Sequence, residues 1–149
     1  MKRTIFTLAL SLILGTASFA NNDVTINQKA EQSFKKEFTQ AKDVSWQKAG
    51  EMVKATFTLN ERVLFAYYSE SGDLVAVTRN ITPDQLPITL VSSLRKNYAE
   101  FWVSDLFEMV SGGQTNYYVT LENADQKIVL KSEDFGSWSI YKKERKAED

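Results

Sequence analysis

The sequence contains neither cysteine nor histidine. Without cysteine the protein forms no disulfide bond, has no thiol nucleophile and offers no cysteine for lipid attachment, so core packing alone must hold the fold. Without histidine it lacks the commonest general base and a major zinc ligand. Hydrolysis by paired carboxylates, or serine–lysine chemistry, remains open, but no acidic pair stands out from the ordinary scatter of surface charge. We therefore predict a protein that is not an enzyme, with no catalytic residue, no cofactor and no metal site.

An excess of positive charge is also lacking, since 18 Lys and Arg residues stand against 19 Asp and Glu, a net charge of −1. Proteins that bind nucleic acids concentrate positive charge, because contacts to phosphates dominate their affinity. No basic stripe interrupts the sequence. We therefore expect no nucleic-acid partner.

Long apolar runs are lacking as well, with one exception at the N-terminus. Residues 5–15 are apolar, follow Lys2 and Arg3, and precede the small residues Ser18 and Ala20. This order is typical of a secretory signal peptide that is cleaved after Ala20. A membrane anchor, the alternative, needs roughly 20 apolar residues, which this run does not reach. We predict a signal peptide over residues 1–20 and a periplasmic or secreted mature protein with no membrane span.

Two segments show the spacing of amphipathic helices. The first is predicted over residues 26–43 and the second over residues 83–98. The apolar positions of the first helix are Ala30, Phe34, Phe38 and Ala41. Thr82 and Pro83 form a typical helix start, and Pro87 moves the start of the second helix toward residues 86–87.

The remaining segments alternate between apolar and polar residues, which predicts β-strands. These strands are expected over residues 52–59, 63–69, 74–81, 101–110, 115–121, 127–132 and 137–143. A shift of 64 residues places Gly72 on Gly136 and Phe57 on Leu121, which indicates an internal repeat. A helix and one face of a small sheet can bury each other. The predicted fold class is therefore α+β, with two tandem copies of a helix packed on a three- to four-stranded antiparallel sheet.

This repeat predicts the domain boundaries. The first copy is expected over residues 21–81 and the second over residues 82–143. Residues 144–149 are almost all charged and are expected to form a tail.

One series of positions stands out by its order and spacing. Its members are Phe34 and Phe38, Val44 and Trp46, Tyr67 or Tyr68 before the run 71–74, Asp84, Leu86 and Pro87, Leu94 and Tyr98, and the strand 117–121. This series resembles the PepSY-like family of exported proteins of Bacteroidetes-type bacteria, whose fold is related to β-lactamase inhibitory protein (BLIP). The second copy matches less well, because nothing after Tyr98 reproduces the Val44–Trp46 pair. The resemblance implies a secreted or periplasmic binding module and, by fold analogy, inhibition of an enzyme.

A candidate binding surface follows from the alternation in the first copy. The residues expected to face the helix are Leu64, Ala66, Leu74 and Ala76, which leaves Phe65, Tyr67, Val75 and Val77 on the opposite face. An apolar face of this kind must be covered by a partner, a second molecule or the other copy. A register error of one residue would exchange the two faces. Trp102 joins this surface, because Phe101 and Trp102 are adjacent and cannot both point inward, whereas Trp46 and Trp138 are expected to close the core.

Three functions remain open. The first is binding of an unknown envelope or extracellular protein, or self-association, through the candidate surface. The second is a small-ligand or glycan carrier whose aromatic side chains line a groove. The third is a weak enzyme that uses carboxylates alone. An acidic cluster of Glu122, Asp125, Glu133 and Asp134 lacks the spacing of a calcium loop, so we assign it to turns and solvation.

Overall fold

The computed structural model describes residues 25–132 and 134–146. The predicted signal peptide over residues 1–20 and its cleavage site lie outside the described residues. The helices are α1 (Gln28–Glu37) and α2 (Ile88–Asn97), with a short 3-10 turn at Pro83–Gln85. The strands are β1 (Lys42–Ala49), β2 (Met52–Leu59), β3 (Arg62–Tyr68), β4 (Leu74–Asn80), β5 (Trp102–Ser111), β6 (Gln114–Glu122), β7 (Gln126–Ser132) and β8 (Trp138–Arg145).

The eight strands form one continuous antiparallel sheet in chain order from β1 to β8. The prediction of two tandem copies, each with its own small sheet, was therefore wrong. β4 pairs with β5 from Val77 opposite Val110 to Asn80 opposite Phe107, and this ladder joins the two halves. The physical reason is that two separate sheets would leave the backbone groups of β4 and β5 unpaired at their inner edges.

Both helices lie on the same face of this sheet. Val77 packs against the buried cluster beneath α1, and its partner Val110 lies on the same side as Leu106, because residues two apart on a strand share a face. Leu106 in turn packs with Leu90 of α2. We call this side the helix face and the opposite side the open face.

The core consists of two apolar clusters on the helix face. Beneath α1, the ring of Phe34 lies 4.9 Å from that of Phe57 and 5.5 Å from that of Trp46, in edge-to-face contacts. Beneath α2, Leu90 packs with Val119 and Leu130. Trp138 closes this second cluster by donating a hydrogen bond of 3.1 Å from Nε1 to the carbonyl oxygen of Leu90. The prediction that Trp46 and Trp138 pack against the core is confirmed.

The two predicted helices are confirmed with shorter bounds. Asn27 caps α1 by accepting a 2.8 Å hydrogen bond from the Lys29 amide. Pro87 delays α2, as predicted, so that the helix begins at Ile88. β8 extends to Arg145, which is two residues into the segment expected to be a charged tail.

Both outer strands are irregular. β1 contains an extra residue between Lys42 and Ser45, and Asp43 at this point has a positive φ of 52°. In β8 the pairing shifts by one residue at Tyr141, opposite Val129 and Leu130 of β7. Such β-bulges interrupt the regular ladder and increase the local twist of the strand.

The turn between β3 and β4 supports the start of α1. Gly72 has a φ of +84°, and a Cβ atom at this position would lie 2.8 Å from the backbone nitrogen of Ala30. Asn27 reinforces the contact by donating a 2.8 Å hydrogen bond to the carbonyl oxygen of Glu70. Only glycine fits this contact without displacing α1.

We expect Gly72→Ala to lower the free energy of unfolding by about 2–4 kcal/mol, because it adds a steric clash to the strain of positive φ. Gly113→Ala is the matched control, since Gly113 also has a positive φ but open space around it, and it should cost about 1 kcal/mol. Denaturant unfolding of both variants measures the difference. Equal losses for the two variants would show that the contact with α1 contributes nothing.

The hydroxyl group of Tyr68 is buried and has no hydrogen-bond partner among the described residues. Burial raises the pKa of this phenol, and the negative charge of Glu37 raises it further. A buried polar group without a partner costs folding free energy. We expect Tyr68→Phe to leave stability unchanged or to raise it by about 1 kcal/mol, as measured by denaturant unfolding. A loss greater than this amount would indicate that the hydroxyl is hydrogen-bonded in solution.

Candidate binding face

Neither α1 nor α2 lies on the open face, and the residues of this face follow from the strand register. In the first half, Thr56 pairs with Phe65, Lys54 pairs with Tyr67, and Tyr67 pairs with Ala76. In the second half, Phe107 pairs with Tyr118 and Tyr118 pairs with Lys131. Paired residues point to the same side of a sheet.

The predicted surface residues are only partly on this face. Phe65 and Tyr67 lie on it, half-buried, and Trp102 lies on it through its pairing with Glu122, with 54% of its surface exposed. Val75 is the extra residue of a β-bulge, because Tyr67 pairs with Ala76 whereas Tyr68 pairs with Leu74. Trp102 lies near one end of β5, whereas Phe65 and Tyr67 lie on β3.

The assignment of Val77 to the open face was wrong. Val77 packs against the cluster beneath α1, and Ala76, expected to face the helix, lies on the open face instead. The bulge at Val75 shifts the alternation of β4 by one residue, which exchanges the faces of every residue after it.

Aromatic side chains from four strands lie on the open face. We call this set the aromatic strip, and its members are Phe65, Tyr67, Phe107, Tyr118 and Tyr141. The rings of Phe107 and Tyr118 stack at 5.0 Å with an angle of 7°, and Tyr141 contacts Tyr118 edge-on at 5.6 Å. Phe107 and Tyr118 are only 6% and 4% exposed. Phe65, Tyr67 and Tyr141 therefore supply the accessible surface of the strip, whereas Phe107 and Tyr118 lie beneath it.

Two small residues of β4, Ala76 and Thr78, lie within the aromatic strip. Ala76 lies opposite Tyr67, and Thr78 lies between Phe65 and Met109. Both small side chains are less than 10% exposed, at 7% and 8%. Larger neighbouring side chains therefore cover both of them, and these two positions contribute little accessible surface to the strip.

Tyr67 and Tyr118 remain neutral hydrogen-bonding groups at ordinary pH, because the pKa of each is raised. Burial raises the pKa of Tyr67, although its hydrogen bond with Thr78 lowers that pKa in part. Burial also raises the pKa of Tyr118, and the nearby Tyr141 raises it further. Each ring thus combines apolar area with a hydroxyl group, a combination that is enriched in protein interfaces.

At one end of the open face, Glu122 forms ion pairs with two lysines. The Nζ atom of Lys146 lies 2.9 Å from Oε2 of Glu122 and 5.0 Å from the centre of the Trp102 ring. Lys127 lies 3.9 Å from the same carboxylate. Hydrogen bonds lower the pKa of Glu122, and the one from Lys146 has a larger effect than the one from Ser104. Trp102 is therefore held beside an ion pair and is not a freely exposed ring.

A different kind of site lies on the helix face between the two helices. Arg79 forms a two-pronged ion pair with Glu108, with Nε–Oε1 and Nη2–Oε2 distances of 2.9 and 3.2 Å. This pair lies in a groove of about 490 Å³. The residues that line the groove are Leu59, Asn60, Arg62, Leu64, Val77, Thr78, Arg79, Glu108 and Val110.

The acidic residues of the predicted cluster that the structure describes take part in ion pairs and turns. In the described part of the chain, no three acidic side chains converge as a bound metal ion would require. Glu122 pairs with lysines, and Asp134 accepts hydrogen bonds from the amides of Gly136 and Ser137. Glu133, named in the predicted cluster, lies outside the described residues.

Sequence reasoning missed Phe107, Tyr118 and Tyr141. A signal for Tyr118 was present, because Tyr117 and Tyr118 are adjacent on one strand and must point to opposite faces. Tyr117 packs beneath α2, which places Tyr118 on the open face. No local pattern indicates Tyr141, because its contact with Tyr118 depends on the bulge in β8.

Comparison with solved structures shows the fold. The chain is similar to a BLIP-like protein from Bacteroides fragilis, with a TM-score of 0.67, 16% identity, and coverage of 83% of this chain and 89% of that one. It is similar to a DUF2874 family protein from Bacteroides ovatus, with a TM-score of 0.71, 20% identity and coverage of 81% and 88%. A protein from Bacteroides eggerthii that is provisionally described as periplasmic gives a TM-score of 0.69, 12% identity and coverage of 80% and 88%.

These similarities confirm the predicted relation to the BLIP fold. No family model matches the sequence, and no curated protein matches it either. Membership of the PepSY-like family therefore stays a prediction. Within the described residues, neither helix combines the length and apolar character needed to cross a membrane.

The Glu122 ion pair should respond to acid. Because the folded-state pKa of Glu122 lies below its ordinary value of 4.5, its stabilising contribution is complete above pH 4.5 and is lost as the pH falls through the folded pKa. Once Glu122 is protonated, Lys146 loses its ion pair and moves away from the Trp102 ring. Fluorine NMR of protein labelled with fluorotryptophan should show the Trp102 resonance moving only below pH 4.5, with assignment by Trp102→Phe. In Glu122→Gln this resonance should already have shifted at neutral pH, and an acid transition that persists there would contradict the assignment.

Proposed function

We propose that this protein is an exported, non-catalytic binding module of the bacterial envelope that holds a protein partner on its open face. The observation that supports this proposal best is the aromatic strip, whose Phe65, Tyr67 and Tyr141 rings are partly exposed on the side of the sheet opposite α1 and α2. The five rings of the strip come from β3, β5, β6 and β8. An aromatic surface of this kind, with small residues between the rings, suits the buried centre of a protein interface.

The N-terminal sequence supports the export part of the proposal. Residues 1–20 have the organisation of a cleaved signal peptide, and one structural neighbour is provisionally described as periplasmic. We therefore place the mature protein in the periplasm or outside the cell. The similarity to a BLIP-like protein supports protein binding by fold analogy alone.

The titration behaviour of the acidic residues supports a function without catalysis. A carboxyl group that acts as a general acid near neutral pH needs a raised pKa. Asp73, Glu122, Asp134 and Glu144 have clearly shifted pKa values, and all four are lowered by hydrogen bonds. These four groups are therefore suited to ion pairs and turns, and not to proton transfer.

A small-ligand carrier is the second candidate, and the groove between the helices favours it. Its volume of about 490 Å³ falls within the range of small-molecule sites. However, no aromatic ring lines the groove, and Glu108 already occupies the guanidinium group of Arg79. A native mass spectrum of the protein purified from its own envelope would show a retained ligand if this candidate is correct.

We expect Tyr67→Glu to abolish capture of the partner from envelope extract, because it places a charge in the strip. Val63→Glu should weaken capture as well, since Val63 lies on the open face through its pairing with Thr58 and is exposed enough to tolerate the change. Gln32→Glu, on the exposed side of α1, is the matched control and should capture normally. Thermal unfolding of each variant confirms that the fold is intact.

Normal capture by folded Tyr67→Glu and Val63→Glu would disprove binding at the open face. Loss of capture in all three variants would point to a general effect of added negative charge.

A further inference from the structure

The open face is more basic than the protein as a whole. On β2, β3 and β4, the register places one charged residue on this face, Lys54. On β7, between the strands that carry Tyr118 and Tyr141, Lys131 lies on this face next to Tyr118. The whole chain, in contrast, has a net charge of −1.

Most acidic residues of the open face already form ion pairs with lysines of this chain. Glu122 pairs with Lys146 and Lys127, and Glu144 pairs with Lys142 at 2.5 Å. Asp105, half-buried near the Trp102 end of β5, is the remaining acid on β5 and β6 that the register places here.

Lys54 lies over an aromatic ring of the strip, and Lys131 is paired with an aromatic residue of the strip. The Nζ atom of Lys54 lies 5.4 Å from the centre of the Phe65 ring, and Lys131 is the strand partner of Tyr118. Neither lysine makes an ion pair with another described residue. A cation over a ring keeps its charge and can still attract a carboxylate.

The distance between the two lysines indicates how large a partner must be to contact both of them. β2 and β7 are five strand positions apart, and strands are spaced by about 4.8 Å, so Lys54 and Lys131 lie roughly 25 Å apart across the sheet. A small metabolite cannot reach both lysines. The surface of a folded protein can, with most of the aromatic strip between them.

We propose that the open face selects an acidic protein surface, whose carboxylates meet Lys54 and Lys131 on either side of an apolar centre. This inference rests on the proposed function, because it requires that a partner binds the open face. The basic face on an otherwise acidic molecule also orients the encounter, since complementary charge steers association. Burial of the partly exposed rings of the strip then supplies the affinity, while the lysines supply the selection.

The test compares charge reversals on the open face with matched reversals on the helices. The first variant is Lys54→Glu/Lys131→Glu. The control is Lys36→Glu/Lys96→Glu, which changes the net charge equally at exposed positions of the two helices. A third variant, Lys54→Arg/Lys131→Arg, keeps the positive charge. Each protein is used at low and high salt to capture proteins from envelope extract, and the bound protein is identified and quantified by mass spectrometry.

We expect the open-face reversal to lower capture by about tenfold at low salt, because like charges at an interface repel. The helix control should capture normally, the arginine variant should retain capture, and capture by the unaltered protein should fall as salt rises.

The outcomes separate this inference from the function on which it rests. If Tyr67→Glu abolishes capture but the lysine reversal does not, the open face binds a partner and the inference about its charge is wrong. If the captured protein is basic, or is a second copy of this chain, the inference is also wrong. If neither Tyr67→Glu, Val63→Glu nor the lysine reversal changes capture, the proposed function itself fails.

Discussion

The ladder between β4 and β5 is the interaction on which the architecture depends. It joins the half of the molecule under α1 to the half under α2 through the pairs from Val77–Val110 to Asn80–Phe107. Arg79 and Glu108 are strand partners within this ladder, and their two-pronged ion pair is only about one-fifth exposed. Removing one partner of such a sheltered pair would leave the other charge poorly solvated, so the pair favours this register over its neighbours.

This ladder also determines which surfaces are available. Because residues on paired strands share a face, joining β4 to β5 places both helices on the same side of the sheet. The side opposite α1 and α2 then extends over all eight strands, and the aromatic strip crosses most of its width. In two separate sheets, the rings of β3 would lie on one unit and those of β5 and β6 on the other. The strip is therefore continuous because the two halves share hydrogen bonds.

Much of the local structure could be predicted from the sequence, because its causes are local. The spacing of Ala30, Phe34 and Phe38 predicts α1, and Pro87 explains why α2 starts late. The pairing of β4 with β5 could not be predicted in this way, since it joins strands separated by the whole of α2. The bulge at Val75 could not be predicted either, because a single extra residue leaves the apolar pattern of β4 unchanged while it exchanges the faces of Ala76 and Val77. The predicted faces of the β3 residues therefore agree with the observed register, whereas those of Ala76 and Val77 on β4 are exchanged.

The irregular outer strands have a consequence for how molecules meet one another. An open sheet of eight strands has two free edges, and a regular edge strand is a template on which another chain can build. In β1 the extra residue at Asp43 breaks the edge near its start, and in β8 the shift at Tyr141 lies beside Lys142 and Lys143. A bulge interrupts the regular row of backbone groups that an added strand would need. Strand addition is therefore disfavoured at these two points of the outer edges, which favours contacts through the faces of the sheet over growth from edge to edge.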